Sequence, residues 1–355
     1  MGYLDNETIY KKYDPSGMQK SIKDFPDQIE SAWDEVSQLA VPTHYLNVKN
    51  VIVLGMGGSG IAGSLAKAYC FQKLNKPFEV IKDYKLPSYI DSSSLVIAIS
   101  YSGGTEETIA TFNEAASKGC KLFAISTGGE IESLARKFKC PHFKVEYNSL
   151  PRASLGYLFI PVLGFLSKLK FINLDGQEVL EAINNLRDFQ MKVEPNIPTG
   201  QNEAKQLAEK LKGYLPISVA SGILAPVASR LKAQFNENSK SFAVAEEMPE
   251  MCHNFLQGLD FPDRVKDRIM TIFIQSRYDH PRTVLRFQAV QNILKKKGLK
   301  YQIIELQCKG AELAEMLHYI HFVDYVSYYL AMMEQTDPWP MDMITYLKKF
   351  LEENK

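Results

Sequence analysis

Val51-Ile52-Val53-Leu54-Gly55-Met56-Gly57-Gly58-Ser59-Gly60 and Leu95-Val96-Ile97-Ala98-Ile99-Ser100-Tyr101-Ser102-Gly103-Gly104-Thr105 share one construction: a short apolar run, then glycines and hydroxyls. Four or five apolar residues without alternation read as a strand buried on both faces, the signature of a parallel sheet. The glycines free backbone amides, a helix N-terminus follows, and several hydroxyls stand close by. Together these make an anion cradle without a fixed charge. Two such loops on neighbouring strands imply a phosphate held between them.

Working outward, the pattern predicts a helix over 59–74, a strand at 78–81, a helix over 105–118 and a strand at 122–126. A short helix over 131–138, a strand at 143–146 and a long apolar helix over 152–169 follow. Strands alternating with helices make a parallel sheet covered on both faces. Residues 13–40 read as helical lead-in, opened by the turn Asp14-Pro15-Ser16-Gly17. We therefore expect a lead-in over 1–42, a first domain over 43–185, and a second domain with C-terminal helices over 200–355. The more charged stretch 174–201, with Pro195 and Pro198, is the expected connection.

The second domain repeats the first in weak form. Pro216-Ile217-Ser218-Val219-Ala220-Ser221-Gly222 mirrors the first strand and loop. Met270–Gln275, running into Ser276-Arg277-Tyr278-Asp279-His280-Pro281-Arg282-Thr283, mirrors the second. These loops lack the serine-glycine runs, so one competent anion site and one structural partner are expected. His280-Pro281-Arg282 is assigned to shaping a domain or subunit interface.

With 41 basic and 41 acidic residues interspersed over 355, the chain has no electrostatic footprint for nucleic acid or an anionic membrane. Five scattered cysteines without a Cys-x-x-Cys pair fit a reduced, cytoplasmic setting. The N-terminus lacks a secretory pattern, and no apolar run reaches membrane-span length.

The first loop also satisfies Gly-x-Gly-x-x-Gly, with Asp83 following near the end of the next strand, which leaves a nicotinamide-dependent dehydrogenase as an alternative. Ser100, Ser102 and Thr105 weigh against it, since a dinucleotide site needs none of these hydroxyls. His318-x-x-His321 places two imidazoles on one helical face with no third ligand nearby; a structural role is expected and no metal site is assigned. Tyr319, Phe322, Tyr325, Tyr328 and Tyr329 fall at helical spacing, as core or dimer surface.

The pairing of Gly-Gly-Ser-Gly with Ser-Tyr-Ser-Gly-Gly-Thr-Glu-Glu-Thr resembles the sugar isomerase (SIS) domain, a phosphosugar-binding α/β fold. Further stretches resemble the bifunctional phosphoglucose/phosphomannose isomerases: Leu150-Pro151-Arg152-Ala153, Phe235-Asn236-Glu237-Asn238-Ser239-Lys240, Pro249-Glu250 with His253-Asn254, Asp324-Tyr325-Val326-Ser327 and Asp337-Pro338. The resemblance implies two tandem SIS domains, each a flavodoxin-like, three-layer α/β/α unit with a five-stranded parallel sheet.

It also implies a homodimer with a shared active site and a phosphorylated hexose as substrate, turned over without metal or organic cofactor. Gly57, Gly58, Ser59, Ser100, Ser102 and Thr105 would hold the phosphate. Glu237 would carry the proton between C1 and C2, and Arg152 would stabilise the enediolate. Lys348 and His253, the latter from the partner, would open the ring. Lys349 leaves the register of Lys348 open by one residue. Cys252 and Phe255 depart from the family's surroundings of the histidine. Trp339-Pro340-Met341 stands where the family has a small hydroxyl residue that makes room for both C2 epimers. A phosphosugar-binding protein without catalysis is the remaining alternative.

Overall fold

In the computed structural model, which describes residues 2–354, both halves of the chain build parallel sheets. The first contains β1 (Asn50–Leu54), β2 (Phe78–Ile81), β3 (Ser94–Ile99), β4 (Lys121–Ser126) and β5 (His142–Lys144), in the order β2-β1-β3-β4-β5. The second contains β6 (Leu215–Ser221), β7 (Val244–Met248), β8 (Ile269–Ile274) and β9 (Lys300–Ile304), in the order β7-β6-β8-β9. Every pairing is parallel. The central strand β3 is buried along its whole length, as its unbroken apolar run requires.

The chain reverses its direction of travel across each sheet at the first strand. The loops leaving β1 and β3 therefore flank the crevice where ligands bind in open α/β sheets. The loops leaving β6 and β8 flank the equivalent crevice in the second sheet.

The second sheet has four strands rather than the expected five. After β9 the chain passes into the helix Glu312–Met333, buried on nearly every side. Its tyrosines and phenylalanine are core, which consumes the sequence that a fifth strand would need. The expected connection over 174–201 is mostly the helix Gly176–Val193, whose Val179, Ala182, Ile183 and Leu186 are buried. Its apolar residues recur at helical spacing, and this outweighs the prolines that follow. One continuous apolar core joins the inner sides of both sheets, while smaller clusters cover their outer faces.

His318-x-x-His321 lies inside this core. His321 Nε2 meets Gln190 Oε1 at 3.0 Å, and burial pushes its pKa down to about 3. The structural role is thus the one observed. Among the described residues no group of three or more His, Cys, Asp or Glu is arranged to hold a metal, and no helix is long and apolar enough to cross a membrane.

A buried ion pair of the second half also anchors a hydrogen bond to the first. Arg230, on the helix Ala225–Glu237, grips Asp324 with two hydrogen bonds of 2.9 and 2.6 Å. Its Nη2 also donates to the Arg152 carbonyl at 2.8 Å, and Gln234 donates to Asp324 at 2.9 Å. Both charged side chains are almost wholly buried. Removing one charge from such a pair leaves the other desolvated and unpaired, so Asp324→Asn is expected to destabilise the chain by about 3 kcal/mol. A fall in the urea midpoint at unchanged slope is the expected outcome, and an unchanged midpoint would contradict the assignment.

Candidate active site

The first loop begins with Gly55 and turns at Gly57, whose φ of +50° is a left-handed conformation. The helix Gly57–Cys70 starts there with no side-chain cap. As first-turn residues, Gly57 and Gly58 have amides without intrahelical acceptors. In the second loop, the Ser100 and Thr105 hydroxyls lie 2.9 Å apart, and Ser102 Oγ accepts from the Gly104 amide at 3.3 Å. Helix Glu106–Ser117 also lacks a side-chain cap. The Tyr101 amide donates to Ser59 Oγ at 3.3 Å, joining the two loops. All six expected phosphate-binding residues thus lie on two interlocked loops, at two uncapped helix N-termini.

These loops reach the candidate catalytic cation through the backbone. A Cβ on Gly58 would stand 3.0 Å from the Arg152 amide nitrogen and from the Pro151 carbonyl carbon. Only glycine lets the 3-10 turn Pro151–Ala153 lie so close. Tyr101 holds the approach to that turn: its hydroxyl donates to the Tyr147 carbonyl at 2.6 Å and accepts from the Ser149 amide at 2.8 Å. Arg152 therefore sits in a 3-10 turn, not in the first turn of the long helix, which begins at Leu155.

The Arg152 guanidinium is buried and nearly saturated with neutral acceptors. Nε donates to Asn238 Oδ1 at 2.7 Å, and Nη2 donates to the carbonyls of Pro338 at 2.6 Å and Trp339 at 3.1 Å. Nη1 faces Glu237 Oε2 at 3.4 Å and Met341 Sδ at 2.9 Å. Burial lowers its pKa from the usual arginine value, with the Glu237 carboxylate opposing. The structure thus brings together Arg152 and Glu237, two of the expected catalytic residues, with Met341 beside them.

It does not bring His253 or Lys348 to this pair within one chain. His253 ends the turn Glu250–His253 beyond β7, exposed and without a side-chain hydrogen bond among the described residues. Asn254 bonds to Glu250 and to the Phe255 amide instead. Lys348 lies on the helix Asp342–Glu353, which buries no residue. On that helix Met343, Ile344, Tyr346, Leu347, Phe350 and Leu351 occupy one half, all exposed. Lys348 borders this half, one turn from Ile344, whereas Lys349 lies in the polar half and faces Glu353 at 3.8 Å. Of the two lysines, Lys348 is the one beside the uncovered apolar surface.

Several contributors were not singled out from the sequence. Asn238 orients Arg152, and its own Nδ2 donates to Ser327 Oγ at 2.9 Å. The Pro338 carbonyl and Lys240 also meet at this site. The polar run Asn236–Lys240 at a helix end was the available signal, but only the fold reveals which of its members point inward.

In the second domain the equivalent crevice is filled by the protein itself. Asp279 accepts a hydrogen bond from the Ser221 hydroxyl and another from the Ser276 amide at 3.0 Å. Gly222, with φ of +52°, matches Gly57 in backbone and in place after its strand. Burial raises the Asp279 carboxyl above its usual pKa, opposed by these two donors. A side-chain carboxylate occupies the place of an anion. His280 Nδ1 accepts from the Arg282 amide at 3.1 Å and caps the helix Pro281–Lys296.

Comparison with known proteins is consistent with this geometry. Residues 44–146 match the model of the SIS domain, and residues 200–351 that of the bacterial phospho-glucose isomerase C-terminal SIS domain. A bifunctional phosphoglucose/phosphomannose isomerase from Caldicellulosiruptor bescii is 35% identical over 340 residues, covering 95% of this chain and 100% of that protein. One from Aquifex aeolicus is 33% identical over 339 residues, covering 94% and 98%. In fold, the chain is similar to the C-terminal domain of glucosamine-fructose-6-phosphate aminotransferase from Francisella tularensis, with a TM-score of 0.70 at 18% identity over 90% of this chain and 96% of that one.

Titration with inorganic phosphate by calorimetry is expected to give one site per wild-type chain. Ser100→Ala should weaken that site about tenfold, the loss of one hydrogen bond to a charged group. Asp279→Ser should add a second site by emptying the other crevice. If no second site appears, Asp279 is not standing in for an anion.

Proposed function

The chain belongs to the bifunctional phosphoglucose/phosphomannose isomerase family, and we propose that it interconverts glucose 6-phosphate, and mannose 6-phosphate, with fructose 6-phosphate through a cis-enediol. The observation that carries this reading is the approach of a buried arginine to a half-exposed carboxylate, 3.4 Å apart, on a turn packed against two hydroxyl-rich loops.

In the proposed mechanism the loops hold the phosphate, and Gly57, Gly58, Ser59, Ser100, Ser102 and Thr105 are its ligands. Glu237 takes the proton from C2 of the open-chain aldose and returns it to C1, while the hydroxyl proton moves from O2 to O1. Negative charge grows on the oxygens as the carbon proton leaves. Arg152 is the cation fixed for that moment. Its other donors are already engaged by neutral groups, so they neither move nor screen it.

His253 and Lys348 are proposed to open the ring, and both require a second subunit to complete the site. Support comes from the exposed His253 and from the helix Asp342–Glu353, whose apolar half is exposed among the described residues of a single chain. An uncovered face of this kind marks an association surface. A cytoplasmic setting is part of the same reading, supported by the five free cysteines.

A coupled assay of fructose 6-phosphate formation tests the activity. Glu237→Gln is expected to lower kcat by about 10³-fold, within the range for loss of a general base. Full turnover in that variant would remove Glu237 from the mechanism.

Sharing of the site has its own test. His253→Ala and Glu237→Gln homodimers should both be inactive, whereas a randomly reassociated mixture should regain about a quarter of wild-type activity, from hybrids with one intact site. No regain would mean that each chain works alone. Titration with NADH is expected to show no micromolar binding; saturable binding would return the dehydrogenase alternative.

A further inference from the structure

Lys240 closes the turn after the helix that carries Glu237, and its φ of +55° lies in the left-handed region. At the end of a helix that conformation ordinarily belongs to glycine or asparagine, because a Cβ crowds the neighbouring backbone there. Strain of this kind persists where the surroundings hold the residue for another purpose. Lys139 and Lys170 adopt the same backbone region after their own helices, but neither makes a side-chain hydrogen bond among the described residues.

Lys240 differs in what its ammonium does. The Ser241 amide bonds back to the Phe235 carbonyl at 3.0 Å, folding the chain over the helix end. Lys240 Nζ then donates to the Glu237 carbonyl at 2.5 Å and, across to the C-terminal segment, to the Pro338 carbonyl at 3.4 Å. Arg152 Nη2 donates to that same Pro338 carbonyl. Two cations therefore converge on one oxygen. The segment they hold continues through Trp339 and Met341 into the helix that bears Lys348.

The environment of the ammonium is that of the site. Burial and the neighbouring Arg152 cation lower its pKa from the usual lysine value, while Asp337, Glu237 and Asp342 pull the other way.

We propose that Lys240 is a positioning residue of the isomerase: with Arg152 it clamps the Pro338 carbonyl, setting the C-terminal segment against Glu237. The inference rests on the isomerase reading and adds to it a cation that acts through the backbone rather than on the sugar. Its role is geometric. The clamp fixes how far Met341 stands from the Glu237 carboxylate and where the Lys348 helix departs.

Three chains compared side by side test it: wild type, Lys240→Gly and Lys240→Arg. Glycine removes the ammonium and also relieves the left-handed strain, so Lys240→Gly should melt at or above the wild-type temperature. Its kcat should nevertheless fall tenfold or more, roughly the effect of misplacing a catalytic group, with little change in KM. Arginine keeps a cation within reach and should restore most of kcat.

A Lys240→Gly enzyme within about twofold of wild-type kcat overturns the inference. So does one whose melting temperature falls along with its activity, or an arginine variant as slow as the glycine one. A wild-type chain without turnover overturns the isomerase reading and the clamp together, whereas an active wild type beside an equally active Lys240→Gly overturns the clamp alone.

Discussion

The bond from Arg230 to the backbone carbonyl of Arg152 is the contact on which the rest of the site depends. Arg152 belongs to the first domain and Glu237 to the second, so their separation is set by how the halves dock. Apolar packing holds the halves together but is indifferent to a slip of an ångström. The bond from Arg230 to the Arg152 carbonyl is not, because it is directional and buried, and within the second half Asp324 holds the Arg230 side chain in place. Such a pair adds little net stability over an apolar replacement. Here it holds the Arg230 guanidinium against the backbone of the turn that carries Arg152, and Gln234, four residues on in the same helix, shares the anchor.

A single architecture used twice serves two different ends. In the first half the crevice between the two strands is bordered by two loops rich in glycine and hydroxyls, at uncapped helix N-termini. In the second half Asp279 fills the crevice, so the same backbone curve becomes a rigid wall. Gly222 makes the same left-handed turn as Gly57, although the loops around it lack the serine-glycine runs. An internal carboxylate satisfies the donors that a lost ligand would leave orphaned.

Much of this was legible in the sequence, and the reasons differ from residue to residue. Strands β1 and β3 were readable because residues buried on both faces carry no polar alternation to confuse them. The loops were readable because glycine and serine have few other uses directly after such a strand. Arg152 was placed in a helix when it occupies a 3-10 turn, since the following apolar run is helical and the boundary is set by contact with Gly58, which is remote in sequence. The fifth strand expected in the second half fails for a similar reason. The aromatic spacing over 319–329 reads as helical, but nothing local announces that this helix follows β9 directly, buried on nearly every side, and leaves no fifth strand. Glu237 enters only through the family resemblance, because an acid in a polar run at a helix end has no distinguishing local pattern. Its approach to Arg152 is a property of the docked halves, which no single stretch of sequence encodes. Lys240 carries no signal of its own in the sequence, because a left-handed backbone at lysine has no compositional mark.

Met341 shows how dual specificity fits a chain that lacks the family's small residue at this place. A thioether is a weak acceptor, so at 2.9 Å it shields the Arg152 Nη1 donor from water without binding it strongly. On the proposed mechanism the enediolate oxygen is a far stronger acceptor than that sulfur. Exchange of one for the other is therefore most favourable when charge has developed, the condition for lowering a barrier rather than tightening ground-state binding. Methionine is also unbranched, with three rotatable bonds, so it can yield to a C2 hydroxyl in either configuration. A small hydroxyl residue admits both epimers by leaving space. On the proposed mechanism a methionine would admit them by moving, and until then it covers the Arg152 Nη1 donor.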